Sequence, residues 1–276
     1  MNNKDFKLLE LNSIPKLWFQ ATNTMFNYFK HNTLDWDNPE KRRVFIDNGG
    51  SILLVAHLDT VQKPKIVRYK KDRVYAQGLD DRLGAYIAYK LATMLGCDLL
   101  LTDNEESGAS TAQFHKMKNK YNWVCELDRA GDDVVTYDLD NEEFFDALAE
   151  QWHIGFGSFS DICFLDTDVC CFNLGIGYEK AHAKDSYAVL SIMNEQIKTF
   201  IKFYEEHKDT KFIYDGNDLK QRQSDYGFGD YYNYKYNNDE EEDLCEICYL
   251  DYGEDVYGHS ICERCFKSMY RDVVGI

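Results

Sequence analysis

Histidine and carboxylate side chains recur at one kind of place along this chain. His57 and Asp59 follow the apolar run Ser51-Ile-Leu-Leu-Val-Ala56, Asp80-Asp81 precedes a helical pattern, Glu105-Glu106 and Asp128 each follow a strand pattern, and His182 comes after the last one. Imidazole nitrogens and carboxylate oxygens are the donors that hold a catalytic divalent metal such as zinc, and the same groups move protons. Taken singly none is informative: a histidine after a strand is ordinarily structural, and an acidic pair is ordinarily a solvated turn or a helix start complementing the dipole. Their recurrence where strands end is informative, because loops at the carboxyl ends of strands in an open α/β sheet converge on one crevice. A second constellation is of another kind. Cys245-Glu-Ile-Cys248 and Cys262-Glu-Arg-Cys265 are separated by 13 residues, the pattern of a tetrahedral structural zinc site whose four thiolates leave no open position for chemistry. His259 is an alternative ligand there.

The elements that must position these residues follow from periodicity. Residues 1–42 read as a helical lead-in with apolar positions at Ile14, Leu17, Trp18, Met25, Phe26 and Phe29, ending at the turn-like Asp35-Trp-Asp-Asn-Pro39. Val44-Phe-Ile, Asp47-Asn-Gly-Gly50 and the run 51–56 predict a β-hairpin across an Asn-Gly turn. Strands at 97–102, 122–127, 133–137 and 168–174 then alternate with helices near 82–95, 108–119, 141–152 and 187–206, the last with Leu190, Met193, Ile197, Phe200 and Ile201 on one side. The rhythm is that of an α/β domain covering residues 1–206. Residues 207–243 are rich in Asp, Asn, Tyr and Gly, run into Asp239-Glu-Glu-Glu-Asp243, and read as an acidic linker whose tyrosines belong to a solvated tether. Residues 244–276 make a small module that ~30 residues could not stabilise without a metal.

Composition bounds the function. The 276 residues carry 31 Lys and Arg against 48 Asp and Glu, a net charge of -17 that offers no overall basic field to a phosphate backbone, so nucleic acid is not an expected partner. No stretch approaches the ~20 apolar residues of a spanning helix, so no membrane partner is expected. The N-terminus lacks the pattern of a signal peptide, and the expected location is a reducing cytoplasm. Cys97, Cys125, Cys163, Cys170 and Cys171 lie in apolar runs where cysteine behaves as a small buried hydrophobe, so no disulfides are expected.

Ala56-His-Leu-Asp-Thr-Val61, Gly78-Leu-Asp-Asp-Arg-Leu-Gly84, Thr102-Asp-Asn-Glu-Glu-Ser-Gly108, Glu126-Leu-Asp128 and His182, in this order, resemble the zinc exopeptidases and deacylases of clan MH over residues 43–206. The resemblance implies a three-layer α/β/α zinc-exopeptidase-like domain with a mixed, mostly parallel central sheet. It implies two zinc ions, with manganese or cobalt as alternatives, one held by His57, Asp80 and Asp128 and the other by Asp80, Glu106 and His182. Asp80 would bridge them, and its bond to Asp81 would be cis. Asp59 resembles the carboxylate that orients the His57 imidazole, and Asp185 a similar partner for His182. Glu105, beside the ligand Glu106, resembles the general base. Gly155-Phe-Gly-Ser-Phe-Ser-Asp161 resembles a Gly-rich segment of the substrate pocket, which makes Asp161 a candidate substrate contact. Arg82 and Arg129 each follow a metal-site aspartate and are candidates either to meet a substrate carboxylate or to balance an acidic pocket. Only 20 residues separate Asp59 from Asp80 and 53 separate Asp128 from His182, too few for the inserted lid or dimerisation domain of many members.

The activity this implies is that of a di-zinc hydrolase of small-peptide amide bonds, an aminopeptidase first of all. Two alternatives stay open: an N-acyl amino acid deacylase, and a non-catalytic peptidase-fold protein recruited through its tail. The tail, with one structural zinc, resembles a zinc ribbon or a truncated RING-like finger, and its acidic neighbours Asp251, Glu254 and Asp255 point to a protein partner.

Overall fold

The structure, a computed structural model, describes residues 13–117, 120–157 and 159–214, together with two short strands further on. Two units make up the chain, Met1–Ser224 and Asp225–Ile276. The described elements of the first begin with α1 (Thr22–Tyr28), β1 (Thr33–Leu34), β2 (Arg43–Ile46), β3 (Ile52–His57), β4 (Lys65–Lys70), β5 (Arg73–Gln77) and α2 (Leu79–Leu95). They continue with β6 (Asp98–Thr102), β7 (Trp123–Arg129), β8 (Val134–Val135), α3 (Glu142–Ala149), β9 (Cys171–Gly175), β10 (Tyr178–Glu179), β11 (Tyr187–Val189) and α4 (Leu190–His207). In the second unit β12 (Glu254–Val256) and β13 (His259–Ile261) pair antiparallel. Cys245, Cys248, Cys262 and Cys265 lie outside the described residues, as does most of the expected linker.

β3 is an unbroken aliphatic run in which every residue is buried, the signature of a strand covered on both faces. It lies in the middle of a seven-stranded sheet ordered β1-β2-β6-β3-β7-β9-β8. The central strands β6, β3, β7 and β9 are parallel, and the outer pairs are antiparallel. Alternation along β3 divides the core. Ile52, Leu54 and Ala56 belong with Met25 and Phe26 of α1, Leu83, Ile87 and Leu91 of α2, and Met193, Ile197 and Phe200 of α4. Leu53 and Val55 belong with Ala112, Tyr121, Leu139, Ile162 and Leu165 on the other face. Trp123, Phe144, Phe172 and Phe203 meet edge to face under the helices, each such buried side chain contributing about 2 kcal/mol. The α/β class with a mixed sheet is as expected from the sequence.

Several local elements differ. β2 and β3 do not form a hairpin; β6 lies between them, antiparallel to β2 with Val44 opposite Leu101 and parallel to β3 with Leu54 opposite Leu99. The Asn-Gly segment wraps the start of β6: the Asn48 and Gly50 amides donate to Asp98 Oδ1 at 2.8 and 3.0 Å, and Asn48 Nδ2 donates to the Cys97 carbonyl at 2.7 Å. Gly50 is required there, since a Cβ would lie 2.4 Å from the Gly96 carbonyl oxygen. The helix expected over 108–119 is a single 3-10 turn, Thr111–Phe114, because the hydroxyls beside it bond locally. Ser110 Oγ accepts the Ala112 amide at 3.0 Å and Thr111 Oγ1 the Asp103 amide at 2.9 Å. The lead-in is broken into a 3-10 turn, Lys16–Phe19, and α1, with Ile14, Trp18, Met25, Phe26 and Phe29 buried but Leu17 exposed. Packing also runs past residue 206, since α4 ends at His207 and Phe212 is buried.

The interval between Asp59 and Asp80 folds as the β4-β5 hairpin. With β11 and β10 it makes a second, antiparallel sheet ordered β10-β11-β5-β4. Sequence periodicity misses this sheet because Val67 and Tyr69 are exposed on β4, so apolar residues do not mark a buried face there. Among the described residues no helix is long and apolar enough to cross a membrane.

Candidate metal centre

His57 is the last residue of β3 and is fully buried. Its backbone amide donates to Asp81 Oδ2 at 3.2 Å, and its Nδ1 lies 3.1 Å from the Asp59 carbonyl oxygen and 3.3 Å from Asp59 Oδ1. Both neighbours of Nδ1 are acceptors, so Nδ1 carries a proton and Nε2 is turned to the site. Around Nε2 stand Asp80 Oδ1 at 3.2 Å, Asp128 Oδ1 at 3.3 Å and Glu105 Oε2 at 3.7 Å. The second oxygen of Asp80 faces the other histidine: Oδ2 is 3.0 Å from His182 Nε2, which is also 2.8 Å from Glu106 Oε2. Asp80 therefore presents one oxygen to each of two donor groups.

The local fold sets these positions. Gly78 takes φ +69, Asp80 and Asp81 depart from helical geometry at the start of α2, and the peptide between them is cis. Asp81 Oδ1 accepts the Gly84 amide at 3.0 Å, capping the regular part of the helix while Oδ2 holds His57. Gly84 permits the approach of α2 to β7, because a Cβ would sit 1.6 Å from the Leu127 carbonyl oxygen. Glu105 and Glu106 lie in a 3-10 turn entered through Asn104 at φ 63, and their amides donate to Asp59 Oδ1 and Oδ2 at 3.2 and 3.1 Å. Asp59 thus joins the His57 ring to the Glu105-Glu106 turn. The Asp128 amide donates to Asn173 Oδ1 at 2.9 Å, and Asn173 Nδ2 donates to Ser160 Oγ at 3.2 Å and Tyr137 Oη at 3.3 Å. Asn173 was not among the expected site residues; its signal, a lone polar residue in the run Cys170-Cys-Phe-Asn-Leu174, is weak.

The three residues expected as substrate contacts each have partners of their own. Asp161 is fully buried beneath the Glu105 loop, where its carboxylate accepts the hydroxyls of Thr102 and Ser110, the two ends of that loop. Its own amide donates to Glu126 Oε1 at 3.2 Å. Arg82 points inward because it follows Asp81 into the packed face of α2. It is fully buried, with Nη2 donating to Thr22 Oγ1 at 3.1 Å and Nε and Nη1 without a hydrogen-bond partner among the described residues. Arg129 is paired with Asp133, which accepts from Nε at 2.5 Å and Nη2 at 2.8 Å and so takes one edge of its guanidinium. Asp185 pairs with Lys180 on the surface and does not orient His182.

The electrostatics call for cations. Burial raises Glu105 to about 9, with Asp128, Asp161 and Asp80 adding to the rise and His57 opposing it. Burial likewise pushes Asp128 well up, and Asp161 to about 6. Asp80 is the reverse: burial works against it, but His182 and His57 hold it well below the usual carboxylate range. Hydrogen bonds from His57 and the Glu106 and Glu105 amides outweigh burial at Asp59 and lower it too. For His57, burial is outweighed by Asp128, Asp59 and Asp80, and the ring is raised; His182 is raised to about 10 by Asp80 and Glu106. Asp128 Oδ1 is buried with only His57 Nε2, at 3.3 Å, near it, a contact outside hydrogen-bond geometry among the described residues. An orphaned carboxylate oxygen, converging imidazoles and mutually repelling acids are the donor set of a divalent-metal site. Donor atoms of His57, Asp80 and Glu106, and of His57, Glu105 and Asp128, lie within 4.8 Å of one another. The residues present fit a divalent metal.

No family model matches the chain, and no curated protein matches it in sequence. Solved structures do match. A tripeptidase from Staphylococcus aureus is 11% identical with a TM-score of 0.51, the match covering 75% of this chain and 99% of that one. An aminopeptidase from the archaeon Desulfurococcus kamchatkensis is 13% identical over 80% of this chain and 97% of its own, with a TM-score of 0.49. The aminopeptidase PepT from Bacillus cereus is 11% identical over 74% and 97%, with a TM-score of 0.48. At these identities the likeness is one of fold, and the fold of this chain is similar to that of the staphylococcal tripeptidase.

Proposed function

We propose that this protein is a metal-dependent hydrolase cleaving the amide bonds of small peptides, and specifically an aminopeptidase. The observation that carries the reading is Asp80, whose two oxygens face His57 and His182 separately at 3.2 and 3.0 Å. In this reading His57, Asp80 and Asp128 hold one zinc and Asp80, Glu106 and His182 the other, with manganese or cobalt able to replace zinc. When bound, such ions would supply Lewis acidity, lowering the pKa of a bound water and polarising the scissile carbonyl. Glu105, whose Oε2 lies 3.7 Å from His57 Nε2, is read as the general base that takes the proton of the attacking water and hands it to the leaving amine. Asp59 holds the His57 ring and both glutamate amides in register, so ligand and base move together. Cys245, Cys248, Cys262 and Cys265 are proposed to hold one structural zinc, supported by the β12-β13 pair lying between the two cysteine pairs in sequence. That module is read as a contact for a protein partner, and the enzyme as cytoplasmic, in keeping with the burial of Cys97, Cys125, Cys170 and Cys171.

Elemental mass spectrometry of the full chain, with hydrolysis of aminoacyl and N-acyl amino acid substrates, tests the reading. About three zincs are expected, falling to about two on Cys245→Ser/Cys248→Ser substitution. Glu105→Gln should keep the metals and lower turnover on free-amine substrates by about a thousandfold. Hydrolysis confined to N-acyl amino acids would move the assignment to a deacylase. Absence of hydrolysis with added zinc, manganese or cobalt would leave a peptidase-fold binding protein.

A further inference from the structure

The small antiparallel sheet carries a charge unlike that of the chain as a whole. Lys63, Lys65, Arg68, Lys70, Lys71 and Arg73 are all exposed, within a chain of net charge -17. The one carboxylate within residues 63–73, Asp72, is committed to Ser191, whose amide donates to Oδ1 at 3.0 Å and whose hydroxyl donates to Oδ2; the sheet's other carboxylate, Glu179, is on β10 opposite Tyr187. Among the described residues no ion pair engages any of the six cations.

Register arranges them. Val74, Ala76 and Ala188 are buried, so the alternate residues share the outer face, with Lys65 opposite Gln77, Arg68 opposite Tyr75, Lys70 opposite Arg73 and Tyr75 opposite Tyr187. The Tyr75 and Tyr187 rings are 5.7 Å apart, Arg68 lies 4.6 Å over Tyr75, and Arg73 lies 4.5 Å over Tyr187. A guanidinium over a ring still has N–H donors for a planar acceptor, which a carboxylate is, although Arg73 spends one of its own on Tyr75. Lysines on an edge strand also discourage pairing between copies, but that purpose does not require arginines seated on a tyrosine pair. The same strands lead into the metal centre: β5 ends at Gln77, just before Asp80, and His182 lies in the turn between β10 and β11.

We propose that the outer face of this sheet, with β4 as its outermost strand among the described residues, is a docking surface for acidic polypeptide that brings carboxylate-rich peptides to the adjacent metal centre. The docking stands on the sheet alone; its use in selecting substrates rests on the hydrolase reading. A nucleic acid suits the face less well, because its backbone brings a charge every ~3.4 Å per strand into the field of an acidic chain. A peptide places a few carboxylates against the cations and can pair its backbone with the edge of β4.

Fluorescence anisotropy of the full chain carrying Glu105→Gln, with a labelled peptide of alternating Glu and Ala, tests the docking. Binding is expected to weaken with salt and to fall about tenfold in Arg68→Glu/Arg73→Glu. Lys65→Gln/Lys70→Gln, which leaves the tyrosine stacks alone, should weaken it about threefold. Equal binding of a Lys and Ala peptide, tighter binding of a single-stranded oligonucleotide, or binding unchanged by both variants would overturn the proposal. With the wild-type chain, hydrolysis of neutral peptides without any docking sinks this inference and leaves the hydrolase reading. Salt-sensitive docking lost in the arginine variant, with no hydrolysis of any peptide, does the reverse.

Discussion

His57 and His182 stand on either side of one carboxylate and are held in opposite ways. His57 ends a buried strand, its side chain is 0% exposed, and its amide, Nδ1 and Nε2 all have neighbours, supplied by the start of α2, the loop after β3 and the end of β7. His182 sits in a surface turn at φ 61, its side chain is 50% exposed, and only Asp80 and Glu106 reach its Nε2. The first half of the centre is therefore part of the core, and its donors cannot relax without disturbing β3 and α2. The second half adds a solvent-exposed histidine from a surface turn to carboxylates that are themselves nearly buried. Rigidity and access, which one site cannot easily combine, are divided between the two halves.

Asp80 is what the halves share, so Asp80→Ala should have the largest effect: loss of both catalytic metals by elemental analysis and hydrolysis reduced to background. Retention of one metal would mean the halves are more independent than the geometry implies. Next in size is the contrast between the histidines. His57→Ala removes an imidazole from among buried carboxylates and should cost about 3 kcal/mol of unfolding free energy in chemical denaturation, whereas His182→Ala should cost less than about 1 kcal/mol. Equal costs would erase the distinction. Gly84→Ala attacks only the buried half, since the new Cβ would lie 1.6 Å from the Leu127 carbonyl oxygen and 2.2 Å from Asp81 Oδ1. A loss of about 2 kcal/mol is expected, with weaker metal retention measured by chelator titration. The smallest effect is expected at Asp161, which clamps Thr102 and Ser110 at the base of the Glu105 loop. Asp161→Asn should keep the metals and lower turnover by about 10- to 100-fold; unchanged turnover would mean that the pairing of Asp103 with Thr111 holds the loop unaided.

The legible part of the site was its donors. His57, Asp80, Glu106, Asp128 and His182 are recognisable because each follows a strand pattern or opens a helix, and Asp59 because it stands two residues from His57. The structure brings these six together with Glu105. Directions were not legible. Arg82 and Arg129 each adjoin a metal-site aspartate in sequence, yet one is packed inside and the other is paired along one edge with Asp133. Asp161 follows a Gly-rich segment yet faces the loop base, and the hydroxyls that receive it, Thr102 and Ser110, carry no sequence signal of their own.

The chain's own order of residues decides which chemical groups are available, where apolar runs begin and end, and that the cysteines of the tail come as two close pairs, because these depend on neighbours a few positions away. Tertiary structure alone decides that β6 enters between β2 and β3, that the stretch after Asp59 becomes a basic sheet edge, and that one histidine is buried while the other is open. Strand partners and burial are settled by which distant surfaces exclude water together, a competition among segments that no local pattern records.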